Sequence, residues 1–231
     1  MTIENLIEID RNILMWFNGS DSLFLDRLMD MLTWGFTWTP LYIALFYLVV
    51  KNNETMSQIV LAMGCAALCI VLADGVADGI VKPLVGRPRP AMDPYIKYMV
   101  HVVDNHRGSG FSFFSAHAAN TMSLAVFFSL LVRNRLFNTV MVLWSLLNCW
   151  TRLYLGMHYP SDILCGLLWG AISGIISYWV FYKVYFKVSP KINYISSKYT
   201  RTGYAIADID VVMLVMAAIL VVVTLLALFV Y

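Results

Sequence analysis

The 231-residue sequence contains little charge: 13% of its residues are Asp, Glu, Lys or Arg, and 60% are hydrophobic. Soluble domains average about 25% charged and about 45–50% apolar residues. This composition therefore excludes an ordinary soluble domain and predicts an integral membrane protein. The formal net charge is only +2 and no run of residues is rich in Lys and Arg, so we expect no nucleic-acid partner.

Cysteine is also scarce, with four residues in the whole chain. Cys65, Cys69, Cys149 and Cys165 lie in apolar segments, without the paired spacing of a zinc site or of a disulfide framework. We interpret them as small buried residues and predict no metal site from them.

The first segment, MTIENLIEIDRNILMWFNGSDS, lacks the basic stretch and the small-residue cleavage site of a cleavable signal peptide, and we expect none here. Its apolar residues recur at helical spacing instead. This spacing predicts a short helix that lies on the membrane surface. The residues concerned are Ile3, Leu6, Ile7, Ile13, Leu14 and Phe17.

Six apolar segments have the length of about 20 residues that a membrane-spanning helix needs. They comprise residues 31–50, 59–81, 113–132, 136–155, 163–182 and 211–230. We therefore predict an all-α fold, a polytopic bundle of about six transmembrane helices with an N-terminal interfacial helix. The bundle forms one membrane-embedded domain over residues 1–231, and 211–230 is an extra C-terminal span.

Six spans place the connecting loops alternately on two faces. One face carries the N-terminal segment, the loop 82–112, the turn 156–161 and the C-terminus, and the other carries 51–56, 133–135 and 183–201. Each face holds eight Lys or Arg residues, but three on the first face belong to the charged cluster described next. The positive-inside rule therefore assigns the second face to the cytoplasm and the cluster to the opposite side.

Ionisable residues cluster at span ends and loops of the first face. Such residues are costly beside a membrane and mark a functional or a paired structural site. Three of them are permanent cations close to two histidines, which suits a phosphate or a similar oxyanion. The cluster comprises Lys82, Arg89, His117, Arg152, His158 and Asp162.

The spacing of residues within the cluster indicates how they could act on an anion. His158 and Asp162 are four residues apart across a turn, so the carboxylate can accept from one ring nitrogen and leave the other nucleophilic. A helix predicted to begin near Ser115 directs its free N–H groups towards an anion.

Three segments resemble the signature motifs of the type 2 phosphatidic acid phosphatase (PAP2) superfamily of membrane lipid phosphatases. KPLVGRPRP at 82–90 matches the first motif, FSAH at 114–117 resembles the second, and TRLYLGMHYPSD at 151–162 matches the third. The motif core spans residues 82–162. Phe114 and Ala116 stand where the family has proline and glycine, and Thr151 stands where it has serine.

The resemblance implies a phosphatase that needs no metal or other cofactor. It assigns His158 as the nucleophile that forms a phosphohistidine, Asp162 as the residue that orients it, and His117 as the general acid and then base. The phosphate oxygens are held by the remaining motif residues, namely Lys82, Arg89, Ser115, the N–H of Ala116, and Arg152. Asp78 is expected to pair with Lys82 at i, i+4 spacing, and Arg87 to support the site.

The implied substrate is a lipid phosphate or diphosphate held in the bilayer: undecaprenyl diphosphate, phosphatidylglycerophosphate or a phosphate of lipid A. We expect a bacterial inner membrane, with the active site on the periplasmic or outer face. The oligomeric state stays open.

Three other functions are compatible with part of this pattern. A lipid transporter usually places its charges near the midplane in repeated halves, whereas these charges share one face and no repeat is visible. A vanadate-binding oxidase shares the oxyanion residues, but six hydrophobic spans argue against it because those relatives are soluble. A catalytically silent lipid-phosphate binding protein stays open because of the substitutions at Phe114 and Ala116.

Overall fold

The structure, a computed structural model, describes residues 3–103, 107–188 and 197–229. Its helices are α1 Ile3–Phe17, α2 Leu23–Thr33, α3 Thr39–Lys51, α4 Met56–Val76, α5 Lys82–Val85, α6 Ala116–Val132, α7 Arg135–Tyr154, α8 Pro160–Val188 and α9 Ile206–Phe229. The described ranges contain no β-strand, only an isolated bridge between Tyr199 and Ala205. The prediction of an all-α fold is confirmed.

Several helical stretches have membrane dimensions. Met56–Met92, Pro160–Tyr185 and Ile206–Phe229 are long and apolar enough to cross a bilayer. The bent pair Leu23–Thr33 and Gly35–Lys51 raises the number to four if it forms one span. A chain with such helices is an integral membrane protein.

Local sequence signals define where four of the helices begin. Ser22, Ser115 and Asn134 each accept a hydrogen bond from a main-chain N–H in the first turn of α2, α6 and α7. Thr55 and Gln58 form a reciprocal capping box at the start of α4. These caps satisfy N–H groups that have no partner inside the helix.

The predicted single span 31–50 is wrong in one respect, because it is interrupted. α2 and α3 meet through a 3₁₀ turn at Gly35–Trp38, and the helical segments bend by 69° there. Pro40 has no N–H, and its ring would clash with a carbonyl one turn earlier, so an unbroken α-helix cannot pass through it. α3 begins with this proline in its first turn.

α4 widens into a π-helical turn at Ala77–Val81 before α5 begins. Pro83 follows at once and cannot donate a hydrogen bond to the carbonyl of Gly79. Gly86, with φ of +63°, then ends α5 in the left-handed conformation. Single π turns of this kind are frequent at functional sites, and this one precedes Lys82.

α6 lies at the centre of the bundle, packed against α4, α7 and α8, while α9 packs against α2 and α3. Three glycines of α8 lie directly on carbonyl oxygens of α6. A methyl group at Gly166 would come within 2.6 Å of the Ser115 oxygen, and Gly170 and Gly174 are equally close to the following turns. Small residues allow this close approach, which brings the N-terminus of α6 beside the first turn of α8.

The largest apolar core joins α3, α4, α6, α7 and α9 and includes Trp38, Phe127 and Trp144. Cys65, Cys69 and Cys149 are buried and Cys165 is half-buried, all as free thiols.

Candidate active site

His158 occupies the short loop between α7 and α8 and is only 2% exposed. Its Nδ1 lies 3.5 Å from Oδ2 of Asp162 and 3.4 Å from Oγ of Ser112. Asp162 stands in the first turn of α8, so the short connection fixes the imidazole relative to the carboxylate.

Burial, the strongest influence, lowers the pKa of the His158 imidazole to about 4. The Asp162 carboxylate opposes this effect, and the positive charges of Arg89 and Arg152 reinforce it. The imidazole is therefore neutral near neutral pH, which leaves a ring nitrogen with a free electron pair.

The Asp162 side chain is completely buried and well satisfied by hydrogen bonds. Oδ1 accepts from Arg87 Nη1 at 2.7 Å, while Oδ2 accepts from the Tyr159 N–H at 3.0 Å and from the Ser112 hydroxyl. Its main-chain carbonyl accepts from the Ser115 N–H at 3.1 Å, which ties α6 to α8. This carboxylate is charged, fixed and directed at His158.

Arg152 lies in the last turn of α7 and is 9% exposed. Its Nη1 contacts Thr33 Oγ1 at 2.9 Å and Met157 Sδ at 3.0 Å, and its Nη2 lies 2.8 Å and 2.9 Å from the two ring nitrogens of His117. Its Nε is buried and has no hydrogen-bond partner among the described residues. No carboxylate contacts this guanidinium within the described ranges, although a buried charge normally needs a counter-charge.

Arg89 supplies a second guanidinium on the same side of the site. Its Nε donates to the Ser109 carbonyl at 2.9 Å and its Nη1 to the Met157 carbonyl at 3.3 Å. In the part of the chain that the structure describes, no carboxylate forms an ion pair with it. Its charge acts on both His117 and His158.

Lys82 follows the π turn and has a half-buried side chain. Its Nζ lies 2.5 Å from Oδ1 of Asp78, the carboxylate one helical turn earlier, and Asp78 is itself largely exposed. This ion pair has the i, i+4 spacing expected for Asp78 and Lys82.

The segment 114–117 leads into the first turn of α6 and is bonded there to the main chain of Asp162. The Ser115 hydroxyl is buried and accepts from the Ala118 N–H at 3.4 Å, which caps the helix. Ala116 and Phe114 are 6% exposed and pack with Ala73 and other small residues of α4 and α6. Phe114 therefore fills apolar space between these helices, at the position where the family motif has proline.

Four residues that contact the site were not predicted from the sequence. Thr33 and Ser112 supply hydroxyl partners from distant segments, and nothing in their local sequence distinguishes them. Ser161 accepts from Arg87 Nη1 at 2.8 Å. Asp10 of α1 accepts from Arg87 Nη2 at 2.6 Å. The sequence feature that could have identified Asp10 is its position as an acidic residue in the middle of an apolar helix face.

Within the described ranges, no three His, Cys, Asp or Glu side chains lie together as they would around a metal ion. The charge of the pocket comes from fixed side-chain cations.

A pocket that concentrates positive charge around a neutral imidazole, inside a bundle of apolar helices, has the chemistry of phosphate transfer. The class of protein that it defines is a membrane-embedded phosphatase. Residues 59–186 match the model of the PAP2 superfamily, and the chain belongs to that superfamily. The predicted family and the prediction of an enzyme of the phosphatase class are confirmed.

Three relatives of this chain are bacterial lipid phosphatases. The chain is 40% identical to the lipid A 4′-phosphatase of Bacteroides thetaiotaomicron over 167 residues, 72% of this chain and 74% of the relative. It is 30% identical to the lipid A 4′-phosphatase of Porphyromonas gingivalis over 71% of this chain and 70% of the relative. A shorter match, 31% over 41% of this chain and 47% of the relative, is to the undecaprenyl-diphosphatase of Bacillus subtilis. No solved structure matches the chain.

Proposed function

We propose that this protein removes a phosphate from a membrane lipid through a phosphohistidine at His158, and that its substrate is the 4′-phosphate of lipid A. The observation that carries the proposal is the pair of guanidinium groups of Arg89 and Arg152. Both contact Met157, the chain neighbour of the neutral His158, and neither has a carboxylate partner within the described ranges. The proposed substrate is the one named for two relatives that match more than two thirds of this chain, the lipid A 4′-phosphatases of Bacteroides thetaiotaomicron and Porphyromonas gingivalis.

In the first step, the dianionic phosphate binds between Arg152, Arg89 and Lys82 and supplies the missing negative charge. The ring nitrogen of His158 that faces away from Asp162 attacks phosphorus, and the bond from phosphorus to the lipid oxygen breaks. Asp162 accepts the Nδ1 proton of His158 in a hydrogen bond and stabilises the imidazolium that forms.

His117 completes this step and begins the next. The bound phosphate favours the protonated form of His117, which gives its proton to the departing lipid oxygen. Neutral His117 then takes a proton from water, which attacks the phosphohistidine and releases inorganic phosphate. The N–H of Ala116 and the Ser115 segment at the start of α6 would hold the phosphate oxygens during both transfers.

The whole chain would act as one membrane domain. We propose six spans, in which α2 with α3 counts as one, and α6 and α7 cross beside α4, α8 and α9. α1 would lie in the interface, because Leu6, Ile13 and Trp16 on its surface are 52%, 42% and 82% exposed. The Lys and Arg residues of the opposite loops support an active site on the periplasmic face of a bacterial inner membrane. The lipid tail would remain in the bilayer while the headgroup enters the pocket.

The test is phosphate release by detergent-purified protein in excess EDTA. The substrates are lipid A, undecaprenyl diphosphate, phosphatidylglycerophosphate and phosphatidic acid. His158→Ala is expected to abolish phosphate release. The control is His101→Ala, which changes a partly exposed loop histidine and is expected to retain release. Fastest release from lipid A supports the proposed substrate, and release that survives in His158→Ala contradicts the mechanism.

A second function, a lipid-phosphate binding protein without catalysis, is favoured by one observation. Phe114 is buried among apolar residues, and the Ser115 hydroxyl already accepts a hydrogen bond from the Ala118 N–H as the cap of α6. This function predicts tight binding of lipid phosphates to folded protein with no phosphate release from any of them.

A further inference from the structure

The N-terminal helix α1 brings a carboxylate to the side of the active site away from the phosphate pocket. Asp10 is 8% exposed, and its Oδ2 accepts from Arg87 Nη2 and from Ser161 Oγ, both at 2.6 Å. Its Oδ1 accepts from the Ser161 N–H at 2.9 Å. α1 precedes the residues that match the family, 59–186, so the family motifs assign no role to this carboxylate.

Arg87 connects Asp10 to the residue that orients the nucleophile. Its Nη2 binds Asp10 while its Nη1 binds Asp162 Oδ1 at 2.7 Å. The guanidinium also lies over the ring of Tyr159, 3.8 Å from its centroid. Arg87 is thus held on three sides, and Asp10 fixes the side opposite Asp162.

The next residue of α1 holds the other flank of the same loop. Arg11 forms a bidentate pair with Asp93, with distances of 2.8–3.1 Å, and the Tyr159 hydroxyl donates to Asp93 at 2.6 Å. Burial opposes ionisation of Asp93, but the hydrogen bonds from Tyr159 and Arg11 hold its pKa below the usual value. Two consecutive residues of α1 therefore anchor the segment that follows His158.

Asp10 occupies a helix position that is unfavourable for an unpaired carboxylate. It lies three or four residues from Leu6, Ile7, Ile13 and Leu14, in the middle of the apolar face of α1. Leu14 beside it is fully buried. A buried carboxylate at such a position is costly unless it is paired. Among the described residues, its side-chain hydrogen bonds go to Arg87 and to Ser161 in the first turn of α8.

We infer that Asp10 is a positioning residue for hydrolysis: it holds Arg87 and Ser161 so that Asp162 keeps Nδ1 of His158 aligned. The inference rests on the proposed function for its kinetic consequences. Asp10 contacts neither the phosphate pocket nor His158, so its loss should impair the chemical step without weakening substrate binding.

The first test compares Asp10→Asn with Glu8→Gln, the same change at an exposed position of the same helix. We expect Asp10→Asn to lower kcat about tenfold with KM changed less than about twofold, because a slight misalignment of a catalytic group slows chemistry strongly. Glu8→Gln should leave both unchanged. Wild-type kcat in Asp10→Asn would overturn the inference.

The second test separates positioning from general support of the fold. If Asp10 acts through Asp162, then Asp10→Asn should cost less than about twofold in an Asp162→Asn background. The same tenfold loss in both backgrounds would show that Asp10 acts independently, and would overturn the inference. Ser161→Ala provides a second variant if Asp10→Asn does not fold: a loss of kcat with KM retained supports the inference, and an unchanged kcat contradicts it.

A third test needs no substrate. The chain has four histidines, so the ¹⁵N signals of His158 can be assigned by their loss in His158→Ala. We expect Asp10→Asn, but not Glu8→Gln, to change the Nδ1 signal of His158. A changed signal in a protein that hydrolyses no lipid would retain the inference and reject the proposed function. An unchanged signal would reject the inference whatever the activity.

Discussion

Arg152 places a guanidinium in a position that is only 9% exposed, and its contacts are a hydroxyl, a thioether and an imidazole. A buried charge left unpaired costs several kcal/mol, of order 3–5 kcal/mol when a partner is removed. A bound phosphate would remove this cost. This reasoning explains why the arginine stands near the end of an apolar helix.

Replacement of Arg152 by lysine should therefore be severe, although the charge is kept. Lysine cannot reproduce the fork that reaches Thr33, Met157 and His117 together. We expect kcat/KM to fall about 10²- to 10³-fold, the range seen when one transition-state donor is lost. Arg133→Lys, at an exposed helix end, is the matched control and should be unaffected. Wild-type kcat/KM in Arg152→Lys would exclude it from phosphate binding.

Replacing the charged neighbours of His158 should shift the pH profile of kcat/KM, in one direction for Asp162 and in the other for Arg89. The nucleophile must be neutral, so kcat/KM falls as the pH falls through its pKa. Asp162 raises this pKa and Arg89 lowers it. Asp162→Asn should therefore move the acid limb to lower pH, and Arg89→Gln should move it to higher pH.

The measurement for this prediction is the pH profile of kcat/KM for the two variants and the wild type with one substrate. Ionisation of the substrate phosphate is common to all three profiles, so only differences between them count. Acid limbs that coincide, or that shift in the reverse order, would show that His158 is not the group that titrates.

At this scale, motif spacing pointed to Arg152 and His117, and these two side chains are in contact at neighbouring helix ends. It was not enough for the groups that hold them. Thr33 lies 119 residues from its partner Arg152, and Asp10 lies 151 residues from Ser161. Single hydroxyl and carboxylate acceptors at such separations depend on how the helices pack, which one sequence does not encode locally.

At the scale of elements, the glycine face of α8 determines how close α8 comes to α6. Gly166, Gly170 and Gly174 recur every four residues, and each one leaves no room for a methyl group above an α6 carbonyl. The site depends on this contact, because the N–H of Ser115, the N-cap of α6, donates to the main-chain carbonyl of Asp162 in α8.

Gly170→Ala should accordingly destabilise the protein. The added methyl would meet the main chain of Ala119, and such overpacking costs about 1–3 kcal/mol. Gly64→Ala in α4 is the control, because nothing lies within 4 Å of its added methyl and alanine is the better helix former by about 1 kcal/mol. Thermal unfolding in detergent should show a lower Tm for Gly170→Ala only; equal Tm values would contradict this packing.

Apolar length predicted the bounds of α6 and α7 closely, since a run of apolar residues between caps leaves few alternatives. α2 escaped prediction because its charged residues Asp26, Arg27 and Asp30 interrupt the apolar pattern. The bend near Gly35 and the π turn before Pro83 were also missed. Proline signals that a helix is disturbed, but the neighbouring helices decide whether it bends, widens or ends.

At the scale of the whole molecule, the proposed orientation places the loop around Tyr98 outside the cytoplasm and the turn around Glu54 inside it. Tyr98 is 89% exposed and Glu54 is also exposed, so a cysteine at either position will be accessible. We expect a membrane-impermeant maleimide to label Tyr98→Cys in right-side-out vesicles and Glu54→Cys in inverted vesicles, with the unsubstituted protein as background. The reverse pattern would place the active site in the cytoplasm.

The most direct test of the mechanism is to trap the phosphate on the protein. Purified protein is mixed with ³²P-labelled lipid A in excess EDTA, quenched in alkali, in which phosphohistidine survives, and digested for mapping. We predict label on the peptide that contains His158, more of it in His117→Ala because hydrolysis of the intermediate is slowed, and none in His158→Ala. Rapid phosphate release with no label on His158 at any time would contradict a phosphohistidine intermediate.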